Sequence, residues 1–206
     1  MGLIKLLIND PITFVLLAIP LLYSVIVHEL AHGWVALIMG DNTAKRLGRL
    51  TLNPLKHLDP LGTLMLFIVG FGWAKPVPVN LQNIQNRRSG FVLVSAAGIV
   101  ANTIFAFVAI LAMQLLAPQP QGPTATFLYY LAQINIILAA FNLIPIPPLD
   151  GSKIVMGFLP DNIRYLFHRL EPYGFFVIII LLFLGILNPV IAFFRWMILS
   201  IIGLFL

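Results

Sequence analysis

Apolar residues run almost unbroken from 12 to 38, beginning after Asn9-Asp10-Pro11 and stopping at Gly40. A helix needs about 20 residues to cross roughly 30 Å of bilayer hydrocarbon, so this run predicts a first transmembrane span. Residues 40 to 59 interrupt the pattern with Lys45, Arg46, Arg49 and Lys56, and predict a loop. The next apolar stretch, 60 to 72, is short and dotted with glycine, which fits a re-entrant or interfacial piece better than a span. In Lys75-Pro76-Val77-Pro78-Val79-Asn80 the prolines forbid helix while apolar positions alternate. That pattern predicts an extended edge strand, a small membrane-associated β element.

Residues 90 to 116 and 125 to 145 are each long enough to span, and the uncharged segment 117 to 124 makes the turn of a helical hairpin. The segment Ile146-Pro147-Pro148-Leu149-Asp150-Gly151 cannot stay helical, because successive prolines remove hydrogen bonds and disfavour helix in the preceding residue. Asp150 is thereby placed just beyond a span. Between 160 and 172, Ile163, Leu166, Phe167 and Leu170 share a face away from Arg164, His168 and Arg169, as in a surface helix. Residues 173 to 206 are apolar again, broken at Asn188-Pro189 with Arg195 inside, and cross once or twice. The expected fold is an all-α polytopic membrane protein. It has three core transmembrane helices, a C-terminal apolar helix or hairpin, a re-entrant segment and the β element, in one membrane-embedded domain over residues 1–206.

Composition agrees with the pattern. Sixty per cent of the residues are hydrophobic, 9% are charged, and mean hydropathy is +1.01, well above what a water-soluble core of this size requires. Twelve Lys and Arg against seven Asp and Glu give a formal charge of +5, a balance that suits basic cytoplasmic loops. Nucleic acid is not an expected partner, because no basic run is interleaved with stacking aromatics. With no cysteine, disulfides and thiol catalysis are excluded, and a metal must be held by nitrogen and oxygen. The amino terminus has no pattern of a removable signal.

Candidate chemistry centres on His28-Glu29-Leu30-Ala31-His32. On a helix, residues four apart share a face about 6 Å apart along the axis, so both imidazoles can hold one ion. An adjacent carboxylate then takes a proton from the attacking water and hands it to the leaving amine, the chemistry of zinc-dependent peptide hydrolysis. Ionisable groups inside a span are costly enough that a His-Glu-His cluster there calls for a polar cavity and a function. Two His, a carboxylate and an open position suit one Zn2+ ion.

A third ligand is needed, and Asp150, His57, Asp59 and His168 are candidates. Residues 40 to 89 carry seven Lys and Arg against two Asp, whereas 117 to 124 carry no charge, so the first loop is expected on the cytoplasmic side. Spans at 90 to 116 and 125 to 145 then go out and back, returning the chain to the histidines' side at Asp150. If residues 60 to 72 crossed, Asp150 would end on the far side, so this requires that stretch to be re-entrant. Asp150 is therefore the expected third ligand, with His57 second. His168 falls on the polar face of the surface helix. Asn142, inside a span, suits either an interhelical hydrogen bond or a donor to the oxyanion. Asn102, four residues after Gly98, reads as an interhelical contact.

HELAH at 28 to 32, Gly98 and Asn102 in SAAGIVAN, and FNLIPIPPLDG at 141 to 151 together resemble the site-2 proteases, which cut transmembrane segments of their substrates. The resemblance covers residues 20 to 157, and the segments GRLTLNPLKHLDPLGTL and GFGWAKPVPVN look like those of the short family members. It departs at Ile99, where relatives frequently carry proline, and no PDZ-like or nucleotide-binding extension is visible. It implies that His28, His32 and Asp150 bind zinc, Glu29 activates water and Asn142 assists at the scissile carbonyl. A partly unwound transmembrane helix of a membrane protein is the expected substrate, held by strand addition to residues 76–80 or 47–52. The expected setting is the plasma membrane of a prokaryote, with the site toward the cytoplasm. A divalent metal transporter using the same His and Asp residues is the competing class, and it predicts that Glu29→Gln is tolerated. An inactive membrane adaptor is the third, which the intact ligand and base set argues against.

Overall fold

In hydrocarbon a backbone must satisfy its own N–H and C=O groups, so the long apolar runs become helices. The computed structural model describes residues 3–70, 72–116 and 122–206. Its helices are α1 (Leu3–Asn9), α2 (Pro11–Ile38), α3 (Thr43–Arg46), α4 (Pro60–Val69), α5 (Arg87–Leu116), α6 (Pro123–Asn142), α7 (Asp150–Phe158), α8 (Asp161–Phe183) and α9 (Leu187–Gly203). Asp10 caps α2 by accepting from the Thr13 N–H at 3.1 Å, with Pro11 at the first helical position. Helices α2, α5, α6 and α8 each contain a stretch long and apolar enough to cross a membrane, while α9, at 17 residues, is shorter. The turn expected at 117 to 124 lies in large part outside the described residues, since 117–121 are not among them.

Three expectations are corrected. Residues 60 to 69 form a regular ten-residue helix, capped by Asp59 at one end and by left-handed Gly70 at the other. It lies against α1 and brings Phe67 to 6.1 Å from the Phe14 ring of α2. At about 15 Å it is too short to cross, and its regular, capped form gives no support to a re-entrant segment. The β element is absent: among the described residues the sole pairing is an isolated bridge between Leu58 and Ala74. Pro76 and Pro78 have no N–H to donate, the Lys75 N–H goes to the His57 carbonyl beside that bridge, and two further donors go to side chains. The Val77 N–H donates to Glu29 Oε2 at 2.8 Å, and the Asn80 N–H to Asp41 Oδ2 at 2.7 Å. Arg49 Nη2 donates to the Lys75 carbonyl at 2.8 Å. Segment 75–80 is thus extended but strapped down by side chains rather than laddered to a strand.

The third correction concerns the C-terminal region. The surface helix expected at 160 to 172 does not stop there but continues through Pro172 to Phe183 as α8. Proline inside a helix removes one hydrogen bond, and the apolar residues beyond it keep the helix worth continuing. The chain breaks instead at 184–186, where Gly185 takes φ +73°, and Pro189 falls in the first turn of α9. Residues 173 to 206 therefore form a helical hairpin.

The core packs α5 against α6 and both against α2, with α7 and α9 alongside. Ala106 of α5 and Ala139 and Ala140 of α6 are fully buried with Ile99, Ile136, Ile198 and Ile202, so small side chains bring the backbones close. Asp41, just after α2, is buried and accepts from the Thr43 N–H, Thr43 Oγ1, the Asn80 N–H and Asn83 Nδ2. Burial pushes its carboxyl pKa up, but those donors outweigh it and hold the group below the usual carboxylate range. The same contacts tie the end of α2 to segment 75–80, which borders the site.

Candidate metal centre

Helical period alone puts His28 and His32 on one face of α2, their rings edge to face with centroids 4.7 Å apart. The third group arrives from far along the chain. After Asn142 the prolines end α6, the chain turns, and Asp150 opens α7 with its carboxylate against both rings. Gly151 makes this turn possible: a Cβ there would overlap the Leu143 and Ile144 carbonyls, so the α7 backbone can sit on the end of α6. His28 Nε2 is 3.0 Å from Asp150 Oδ2, His32 Nε2 is 3.1 Å from the same oxygen, and the two Nε2 atoms are 3.0 Å apart. His28 and Asp150 are 7% and 5% exposed, so these groups meet away from bulk water. Among the described residues, His28, His32 and Asp150 are the one group of three His or acidic side chains whose ligand atoms converge in this way.

The far side of each ring fixes its tautomer. His28 Nδ1 lies 2.6 Å from Asn102 Oδ1, and His32 Nδ1 lies 2.7 Å from the Val94 carbonyl. A carbonyl only accepts, so His32 carries its proton on Nδ1. The Asn102 amide is oriented by its own donors: Nδ2 donates to the Ser24 carbonyl at 3.2 Å and to Asn135 Oδ1 at 2.7 Å, which turns Oδ1 to His28 as acceptor. Asn135 Nδ2 in turn donates to Ser24 Oγ and to the Leu131 carbonyl, both at 2.7 Å. Both neutral rings therefore present Nε2 lone pairs to each other and to a carboxylate oxygen. Three acceptors facing one another at about 3 Å have no donor among them, and a cation is what such an arrangement fits. Ligands at about 2.0–2.1 Å around tetrahedral zinc stand roughly 3.3 Å apart, close to the observed spacing. The residues fit zinc.

Gly98 makes this close packing of α5 on α2 possible. A methyl group there would overlap the His28 ring, so the ring lies flat on the α5 backbone one turn before Asn102. Glu29 faces the same cavity, which measures about 730 Å³ and is also lined by Asn142, Lys153, Trp73, Val77 and Phe175. Its Oε2 is occupied by the Val77 N–H, which leaves the other oxygen free for chemistry. Asn142 donates one amide hydrogen to the Leu138 carbonyl at 2.9 Å and retains a second. Lys153 Nζ lies 3.3 Å from Asp150 Oδ1, the carboxylate oxygen turned away from the histidines.

The other candidates lie elsewhere. His57 is 1% exposed, with Nε2 2.8 Å from the Thr51 carbonyl, and its own carbonyl accepts from the Lys75 N–H, so it braces the loop. Asp59 accepts from the Gly62 N–H at 2.8 Å as the cap of α4. His168 lies exposed on α8, 3.6 Å from Glu171. Sequence reasoning did not single out Ser24 or Asn135. The available signal was Asn135 itself, a costly amide inside a span and two turns before Asn142 on the same face of α6.

Asn102→Ala removes the acceptor that holds the His28 proton on Nδ1 and leaves the buried Asn135 Oδ1 without its Asn102 donor. Zinc affinity is expected to fall about 10- to 100-fold, measured by competition with a chromogenic chelator.

Spanning helices that bury a His/His/Asp group beside a free carboxylate define a membrane metalloprotease. The chain is 44% identical over 173 residues to a Bacillus subtilis (strain 168) protein named "Putative zinc metalloprotease YwhC", covering 80% of this chain and 78% of that one. It is 27% identical to "Putative zinc metalloprotease Rip2" of Mycolicibacterium smegmatis, covering 85% and 69%. It is 28% identical to "Zinc metalloprotease MJ0392" of Methanocaldococcus jannaschii, covering 77% and 38%. The model of peptidase family M50 matches residues 117–185, and no solved structure matches. The chain belongs to peptidase family M50, the site-2 proteases. It is a zinc metalloendopeptidase and a multi-pass membrane protein.

Proposed function

We propose that this protease hydrolyses peptide bonds within or near transmembrane segments of other membrane proteins. The observation that carries the reading is depth. His28 and His32 stand ten and six residues before the end of α2, about 15 and 9 Å inside a helix of spanning length. A soluble loop has no ready path to a centre so placed, whereas a laterally entering helix does. The ligand set is His28, His32 and Asp150. Zinc, when bound, supplies Lewis acidity to the attacking water and the scissile carbonyl.

This chain's own groups do the rest. Glu29 takes the proton of the attacking water on its unoccupied oxygen and returns it to the leaving amine nitrogen, while the Val77 N–H keeps the carboxylate oriented. The second amide hydrogen of Asn142 donates to the carbonyl oxygen as it gains charge. An α-helical amide hides its carbonyl in the helix, so the substrate must unwind before it is cut. Segment 75–80, held extended by Glu29, Asp41 and Arg49, is suited to lie beside the unwound chain.

The basic loop between α2 and α5 supports a cytoplasmic position for the centre in the plasma membrane of a prokaryote. Mapping the cut by mass spectrometry in a co-reconstituted single-span substrate tests the proposal. Termini within the apolar segment or a few residues from it are expected. Cuts confined to distant soluble flanks would overturn the reading.

A further inference from the structure

Arg195 stands midway along the apolar helix α9, eight residues from either end. Its Nη2 donates to Gln133 Oε1 of α6 at 3.1 Å, while its Nε is buried with no partner. Gln133 fixes the depth: it lies ten residues after Pro123 and nine before Asn142, about 15 Å from either end of the spanning helix α6. An arginine side chain is too short to reach either membrane surface from there. A guanidinium cannot give up its charge, and none of the chain's seven acidic residues lies on α5, α6 or α9. Among the described residues the cation is therefore held at mid-membrane by one neutral amide, away from the zinc centre on α2 and α7.

The surface around it suits a helix. Tyr129 and Ile137, each one turn from Gln133 on α6, are 51% and 44% exposed, and Trp196 and Leu199 are exposed on α9. An apolar outer face with one unneutralised cation at mid-depth is complementary to an apolar helix bearing one acid at the same depth. We infer that Arg195 and Gln133 form a docking site for a transmembrane helix of a partner protein that carries an Asp or Glu halfway across the membrane. Charge complementarity selects this occupant. Lipid offers no anion at that depth, and a second copy of this chain offers no carboxylate on these helices.

The test uses the full-length protein in liposomes, in a Glu29→Gln background so that no peptide is cut, with a fluorophore on a single cysteine introduced at Leu206. The probes are synthetic Leu/Ala single-span peptides identical except for Glu, Gln or Lys at the centre, read by energy transfer. The Glu peptide is expected to associate about tenfold more tightly than the Gln peptide. That preference should vanish in Arg195→Gln, survive in Arg195→Lys and pass to the Lys peptide in Arg195→Glu. Equal association of the Glu and Gln peptides with unaltered Arg195 overturns the inference, and this comparison needs no Arg195 variant to fold. A Glu preference that persists in Arg195→Gln also overturns it. Because the readout is binding, it is independent of whether the protease cuts within membranes.

Discussion

Asp150→Ala is expected to purify without zinc. Its carboxylate oxygen lies 3.0 and 3.1 Å from the two imidazole nitrogens and, among the described residues, is the only anionic group touching them. Without it the ion has two neutral ligands, each fixed by its own hydrogen bond, and no charge to offset its own. Loss of an outer-shell partner typically costs 10- to 100-fold in metal affinity, so loss of a ligand should cost more than about 100-fold, with activity falling in parallel. Asp150→Asn separates charge from shape, since it keeps the volume in the first turn of α7 and should also lose zinc. His57→Ala is the contrasting variant, expected to retain one zinc per folded chain because His57 braces a loop through the Thr51 and Lys75 backbones. Metal analysis and chelator competition on the purified proteins read all three.

Glu29→Gln is expected to show the opposite pattern, with zinc retained and cleavage lost. Glu29 is not one of the three converging ligand groups, and its carboxylate accepts from the Val77 N–H at 2.8 Å. Glutamine presents an oxygen to that same donor, so the fold near segment 75–80 should survive. The lost capacity is proton transfer, commonly worth about 10²- to 10⁴-fold in rate. Cleavage of a co-reconstituted single-span substrate at saturating zinc measures it. A metal transporter would be indifferent to this substitution, so near-normal turnover of metal with no proteolysis in the unaltered protein would point away from the account.

The placing of these four side chains together was legible in the sequence for two different reasons. His28, Glu29 and His32 required only the helical period, which holds wherever an apolar run is long enough. Asp150 required a topology, and loop charge supplied it: with 40 to 89 basic and 117 to 124 uncharged, two spans must bring the chain back. His57, the second candidate, does not converge with His28 and His32, and its Nε2 lies against the Thr51 carbonyl, which no count of charges reveals.

Where reading failed, the decisive partners were far apart in sequence. Pro76 and Pro78 signalled extended chain correctly, but a strand needs a neighbour with free backbone groups, and here Glu29 and Asp41 took that place. Ser24, Asn102 and Asn135 sit on three different helices, and only their packing makes them one network around the His28 proton. Pro172 looked like an end, yet one missing hydrogen bond did not outweigh the apolar turns that follow it. Residues 60 to 72 were expected to be re-entrant so that Asp150 could return to the histidines' side; a regular capped helix stands there instead, and at ten residues it is too short to cross.

Zinc K-edge X-ray absorption of the purified wild-type protein tests the ligand set most directly. The account predicts a first shell of nitrogen and oxygen at about 2.0–2.1 Å, with outer-shell scattering from two imidazole rings. A third imidazole would require His57 or His168, and a single one would remove His28 or His32. Either result would contradict a centre built from His28, His32 and Asp150.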